Sequence, residues 1–172
     1  KFANDKMADL FVSIHANAAP NAAKAKSMHG IETFFLSPAR SERSKNAAAL
    51  ENKSDIEEMN YFSQQTFLNV LNREKIIASN KLGIDIQKEI LASARKVYAA
   101  SDGSVREAPF WVLVGALMPA VLVEIGYITH PVEGEKLFDE AYQKALANGI
   151  ANGIDGYFAK KKKLTGHSGT CL

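Results

Sequence analysis

Two ionisable residues stand where this 172-residue chain could carry out chemistry. His15 closes a short β-rich run that begins at Leu10, and Glu124 lies inside the continuous apolar run Val121–Ile125. A carboxylate in such a run is costly to bury unless it is paired, protonated or bound to a metal. Burial also displaces its pKa toward the range that a general base needs near neutral pH. The two residues are therefore candidates for an active site, although they do not make a metal site by themselves, since catalytic zinc takes three protein ligands.

A purely structural interpretation of both residues stays open at this point. In that interpretation Glu124 is a buried carboxylate bonded to an arginine or to the N-terminus of a helix, and His15 is a satisfied histidine at a strand end. Spacing along the chain does not separate the two interpretations.

The elements that must position these residues alternate between strand and helix. The periodicity predicts strands at 10–15, 30–36 and 120–125, and helices that begin at Ser37-Pro38, near Ile76 and at Pro131. Asp102-Gly103 is predicted to form a turn. This order is typical of an α/β domain with a mainly parallel sheet flanked by helices, in which active sites form beyond the carboxyl ends of the strands.

Composition and charge exclude several classes of protein. The chain carries 21 Lys+Arg against 19 Asp+Glu, and four of the basic residues form the run Lys160–Lys163, so the remainder has no basic excess for a nucleic acid. No apolar stretch approaches the roughly 20 residues that cross a bilayer, and no signal-peptide pattern is visible. The single Cys171 excludes an intramolecular disulfide and a cysteine-rich zinc module.

Two long motifs resemble those of the zinc-dependent N-acetylmuramoyl-L-alanine amidases of the AmiA/AmiB/AmiC type. The first motif runs from Ala8 to Ala18 around His15, and the second runs from Met118 to Thr129 around Glu124. The closing helix is also similar, so the resemblance extends over nearly the whole chain before the lysine run. It implies a zinc hydrolase of peptidoglycan that acts in cell-wall remodelling and daughter-cell separation, in the periplasm or outside the cell.

The resemblance also implies a role for each residue. His15 matches the last zinc ligand of the family in sequence order, and Glu124 matches the glutamate that serves as catalytic acid and base. The cleaved bond would be the amide bond between N-acetylmuramic acid and the L-alanine of the stem peptide. The other two zinc ligands of the family precede the region where this chain begins, so we expect them upstream of Lys1 and expect the chain alone to be inactive. His29, His130 and His167 do not fall at ligand positions.

The resemblance divides the chain into an amidase catalytic domain over 1–159, without the family's opening strand, and a basic, flexible tail over 160–172. The polar segment at about 51–80 corresponds to a helical insertion that covers the active site in some of these amidases. Four acidic residues could approach the metal from it: Glu51, Asp55, Glu57 and Glu58. We therefore expect a self-inhibitory element that an activator protein moves aside; a solvated linker helix is the alternative.

Two other functions compete with this interpretation. One is a related zinc amidohydrolase or carboxypeptidase-like peptidase, which substrate preference would distinguish. The other is a catalytically inactive module that binds or regulates the cell wall. Missing ligands favour the inactive module, whereas a costly buried Glu124 argues against it. The metal content of the complete protein separates the inactive module from both enzymes.

Overall fold

The computed structural model describes residues 2–54 and 73–165. Its strands are β1 (Phe11–Asn17), β2 (Ile31–Leu36), β3 (Asp102–Ala108) and β4 (Ala120–Tyr127). Its α-helices are α1 (Phe2–Asp5), α2 (Ala22–Ala25), α3 (Glu42–Glu51), α4 (Arg73–Ala94), α5 (Glu133–Lys136) and α6 (Glu140–Thr165). Short 3₁₀ turns cover Asn52–Ser54 and Trp111–Leu113. None of the described helices is both long enough and apolar enough to cross a membrane.

The described strands form one sheet in the order β1-β4-β2-β3. β1 runs parallel to β4 and β2 runs parallel to β3, whereas β2 and β4 are antiparallel. The prediction of an α/β domain with a mainly parallel sheet is confirmed.

The sheet has a different helical layer on each face. Side chains alternate along a strand, so Val121 and Val123 of β4 pack with α4 and α6, whereas Leu122 packs with Ala48 of α3. β4 is covered on both faces, which is the environment that its continuous apolar run predicts. Among the described residues, those of β4 that point toward α3 are covered by α3 and by the turn around Leu113.

Two local predictions are wrong. Asp102-Gly103 does not form a turn but opens β3, where Asp102 pairs with Ile31 of β2. Pairing with a neighbouring strand thus overrides the local preference for a turn. The helix predicted to begin at Ser37-Pro38 begins at Glu42 instead, because the hydroxyl of Ser41 accepts a hydrogen bond from the Ser44 N–H at 3.1 Å and caps it.

The closing helix predicted from Pro131 is divided into α5 and α6. The carboxylate of Asp139 accepts the N–H of Ala141 at 2.9 Å and so provides a new cap for α6. Phe138 is 75% exposed at this break, whereas Tyr142 is fully buried. The run Lys160–Lys163 lies within α6 and is exposed, as a solvated helix end should be.

Glycines let α6 approach α4 closely. A Cβ at Gly153 would lie 2.5 Å from the Cα of Ile86, closer than side chains tolerate, whereas a Cβ at Gly156 would meet nothing within 4 Å. We therefore expect Gly153→Ala to lower the free energy of unfolding by about 1–3 kcal/mol through overpacking. Gly156→Ala, the control on the same helix, should leave it unchanged or raise it by about 0.5–1 kcal/mol. Urea denaturation of both variants measures the difference, and equal stabilities would contradict the close approach.

Candidate active site

Strand register places three ionisable side chains in one row across the sheet. His15 of β1 pairs with Glu124 of β4, and Glu124 pairs in turn with Glu32 of β2. Residues that are direct neighbours on adjacent strands point to the same face of a sheet. The face in question carries Leu122 and is therefore the face covered by α3. The sequence-predicted residues His15 and Glu124 are thus adjacent in the fold, at the ends of two parallel strands.

A third ligand-type residue, Glu51, joins them from the last position of α3. Its Oε2 atom lies 2.7 Å from Nδ1 of His15. One candidate ligand atom from each of His15, Glu51 and Glu124 lies within 4.8 Å of the others. The hydroxyl of Ser13 lies 2.9 Å from the other ring nitrogen, Nε2, and fixes the orientation of the imidazole.

Glu124 is fully buried and its carboxyl group is unsatisfied. Within the described residues neither Oε1 nor Oε2 has a hydrogen-bond partner, so the arginine or helix N-terminus of the structural interpretation is not found there. Burial is the main cause, and the negative charges of Glu51 and Glu32 act in the same direction; together they raise the pKa of Glu124 to about 8. A carboxyl group with this pKa can both hold and release a proton near neutral pH.

The residues present fit a divalent metal ion such as zinc. Imidazole nitrogen and carboxylate oxygen are both ligands that zinc uses in catalytic sites, and His15, Glu51 and Glu124 offer one nitrogen and two carboxylates. Two carboxylates beside each other are also costly without a cation, and the unpartnered oxygens of Glu124 are the clearest sign of that cost. Of the acidic residues expected near the metal, Glu51 reaches the site, whereas Asp55, Glu57 and Glu58 lie outside the described residues.

Sequence reasoning missed a second set of residues on the same face. The carboxylate of Glu32 is fully buried, and it accepts hydrogen bonds from Arg43 Nε at 2.7 Å and from the Tyr127 hydroxyl at 2.8 Å. Arg106 Nε lies 3.2 Å from the same carboxylate. The sequence does contain a signal for Glu32, because this residue is a carboxylate within an apolar strand, as Glu124 is. A Cβ at Gly103 would collide with the Glu32 side chain, so this glycine makes room for it.

The remaining histidines behave as the sequence indicates. Nδ1 of His130 accepts the N–H of Glu133, the first residue of α5, at 3.0 Å. His29 is exposed, and His167 lies outside the described residues. Glu133, in the first turn of α5, is fully buried, and its carboxylate accepts the backbone N–H groups of Gly30 and Tyr127. That contact ties the end of β4 to the start of β2.

Comparison with known proteins identifies the family to which the chain is similar. Residues 1–156 match the sequence model of Amidase_3, described as N-acetylmuramoyl-L-alanine amidase. The chain is 33% identical over 159 residues to the N-acetylmuramoyl-L-alanine amidase AmiA of Salmonella typhimurium, covering 88% of this chain and 52% of that protein. It is 32% identical over 156 residues to the uncharacterized protein YqiI of Bacillus subtilis, covering 91% of this chain and 54% of that protein.

Solved structures agree with the sequence relatives. The N-acetylmuramoyl-L-alanine amidase from Clostridium difficile 630 superimposes with a TM-score of 0.63 at 28% identity, over 93% of this chain and 63% of that chain. The chain therefore spans about half the length of the curated relatives it matches and somewhat more of this structure.

Proposed function

The chain belongs to the N-acetylmuramoyl-L-alanine amidase family, and from that premise we propose that the complete protein cleaves the amide bond between N-acetylmuramic acid and the L-alanine of the peptidoglycan stem peptide. The observation that carries the proposal is the convergence of His15, Glu51 and Glu124 within 4.8 Å beneath α3. Three residues far apart in sequence are brought to one place, with ligand types that suit metal-assisted hydrolysis.

The residues of this chain divide the work between them. His15, held by Ser13, would bind zinc together with two ligands that we expect upstream of Lys1. Bound zinc lowers the pKa of a coordinated water toward about 7 and polarises the substrate carbonyl. Glu124 would take the proton of the attacking water and return it to the leaving amine of L-alanine, for which a pKa of about 8 is well suited.

Muropeptide digestion tests the proposal. The complete zinc-loaded protein is incubated with muropeptides, and mass spectrometry follows release of the intact stem peptide from N-acetylmuramic acid. Hydrolysis of free peptides but not of muropeptides would favour a carboxypeptidase-like enzyme. A protein that fails to retain zinc and hydrolyses neither substrate would favour an inactive wall-binding module. The carboxyl group of Glu124 is buried without a hydrogen-bond partner among the described residues, and the cost of this arrangement argues against the inactive module.

Location and physiological role follow from the substrate. Relatives of the chain carry the names of cell-wall amidases, and peptidoglycan lies outside the inner membrane. We therefore propose a periplasmic or secreted enzyme that acts in cell-wall remodelling and daughter-cell separation.

We further propose that Glu51 restrains the enzyme. Its carboxylate approaches the imidazole of His15 to 2.7 Å, where it competes with substrate or water for the metal. Glu51 is both the last residue of α3 and the first residue of the segment at about 51–80, so a partner protein that displaces this segment would also withdraw Glu51. Most of the segment lies outside the described residues, and the activator itself remains a proposal.

Replacing the carboxylate of Glu51 tests the restraint. Glu51→Gln in the complete protein should raise basal muropeptide hydrolysis several-fold without loss of zinc, because the competing negative charge is removed. Initial rates and metal content are measured together. Glu140→Gln, a change on the exposed start of α6, is the matched control and should alter neither. A joint loss of zinc and activity in Glu51→Gln would show instead that Glu51 is a metal ligand.

A further inference from the structure

A cavity of about 380 Å³ opens beside the candidate active site. Asn17 and Tyr127, which line it, follow His15 and Glu124 on the same two strands. Its opposite wall is α3, which contributes Arg43 and Asn46. The cavity is thus continuous with the elements that hold the candidate catalytic residues, on the face covered by α3.

Arg43 is held in the wall of this cavity, and the described residues engage only some of its N–H donors. Its Nε donates to Glu32 at 2.7 Å and its Nη2 donates to the Tyr127 hydroxyl at 3.4 Å. The guanidinium also lies over the Tyr127 ring, with 5.8 Å between Cζ and the ring centroid. A guanidinium carries five N–H donors, and these contacts within the described residues engage two of them. Arg43 is therefore pre-oriented and can still bind a planar anion.

The charges around Arg43 favour an anion. The buried carboxylate of Glu32 is shared by two guanidinium groups, Arg43 and Arg106, so this cluster carries one net positive charge. Both arginines stay protonated at any physiological pH. Lys24 adds a second positive charge to the cavity wall, and the one acidic residue that lines the cavity, Glu42, is itself paired with Lys45 at 2.7 Å.

The position of Arg43 sets which part of the substrate it can reach. Glu32 and Glu124 are directly opposed on antiparallel strands, with Cβ atoms about 5 Å apart. Arg43 donates to Glu32, the direct neighbour of Glu124 across the sheet, so its guanidinium lies close to the candidate catalytic residues. An extended peptide covers about 3.4 Å per residue, so a side group on the second residue lies on the order of 7 Å from the cleaved bond, within reach of a side chain placed in this way.

We propose that this cavity is a substrate subsite in which Arg43 binds a carboxylate carried by the second residue of the peptide, next to the alanine released by hydrolysis. The proposal rests on the function proposed above and adds a specificity that the family name does not contain. A neutral carboxamide at that place leaves the guanidinium charge uncompensated, so the subsite selects the acid over the amide.

Paired substrates test the subsite. Two soluble muramoyl tripeptides are prepared that differ only in a free carboxylate or a carboxamide on the second residue. The complete zinc-loaded protein should cleave the carboxylate form with a kcat/KM at least about tenfold higher. In Arg43→Gln the ratio should fall to near one, with the carboxamide form still cleaved, and Arg43→Lys should restore part of the preference.

Arg106→Gln is the matched control. Arg106 also contacts Glu32, at 3.2 Å, but it does not line the cavity, so this variant removes the same charge from Glu32 and should keep the substrate ratio. An equal fall of the ratio in both variants would overturn the subsite and assign Arg43 to the stability of Glu32. Equal cleavage of the two substrates by the unmodified protein would also overturn it and leave the amidase proposal intact. Cleavage of neither substrate would reject the amidase function itself.

Discussion

Glu124→Gln in the complete protein should reduce muropeptide hydrolysis by about 10²- to 10⁴-fold while zinc stays bound, the range that loss of one general acid–base group produces. Glutamine has nearly the same shape as the buried side chain but cannot take a proton from water or return one to the leaving amine. Steady-state kcat/KM and the zinc content of the same preparation are the two measurements. Near-normal turnover would remove Glu124 from the chemistry.

Whether Glu124→Gln folds normally can be tested by measuring how its free energy of unfolding depends on pH. The pKa of Glu124 rises from 4.5 to about 8 on folding, so the folded state binds this proton more tightly than the unfolded chain does. The free energy of unfolding of the metal-free protein should accordingly fall as the pH rises from about 4.5 through about 8. Glu124→Gln should lack this component and should be at least as stable as the unmodified protein at pH 8. A marked loss of stability would indicate that lost activity reflects misfolding.

His15→Ala should lower zinc affinity by orders of magnitude and abolish activity with it. The substitution removes the imidazole that would bind zinc, the one histidine that the described residues bring to the site. Isothermal titration of the metal-free complete protein with zinc, together with metal analysis after dialysis, measures the loss.

His29→Ala provides the comparison for His15→Ala. His29 is exposed on the segment before β2 and contacts the ring of His130 at 5.3 Å between centroids, so its loss should leave zinc affinity unchanged. Retention of full zinc affinity in His15→Ala would refute the ligand assignment. Equal losses in both variants would point to a nonspecific effect of removing surface histidines.

The sequence predicted much of the fold because the signals were local. The run at Val121–Ile125 is apolar without alternation, which only a strand covered on both faces requires, and that strand is β4. Helix α4 was predicted with Gly83 inside it, and the structure keeps the helix continuous because Gly83 packs against side chains of the sheet. Errors arose where tertiary contacts outweighed local preference, as in β3 at Asp102.

The sequence by itself determined the chemical types of the site. A histidine at a strand end and a carboxylate inside a buried strand are visible as soon as the chain is read, because burying charge is costly wherever it occurs. Their resemblance to the amidase motifs also came from the residues alone, and the family match over residues 1–156 confirms it.

Only the tertiary structure decided which residues meet. The register of three strands aligns His15, Glu124 and Glu32, and the packing of α3 on that face brings Glu51 and Arg43 to them. Neither register nor helix packing is encoded by any short segment, because each depends on contacts between residues distant in the chain. The same contacts set the electrostatics: Glu32 shares one carboxylate between two arginines, while Glu124 beside it has no partner among the described residues and keeps its proton.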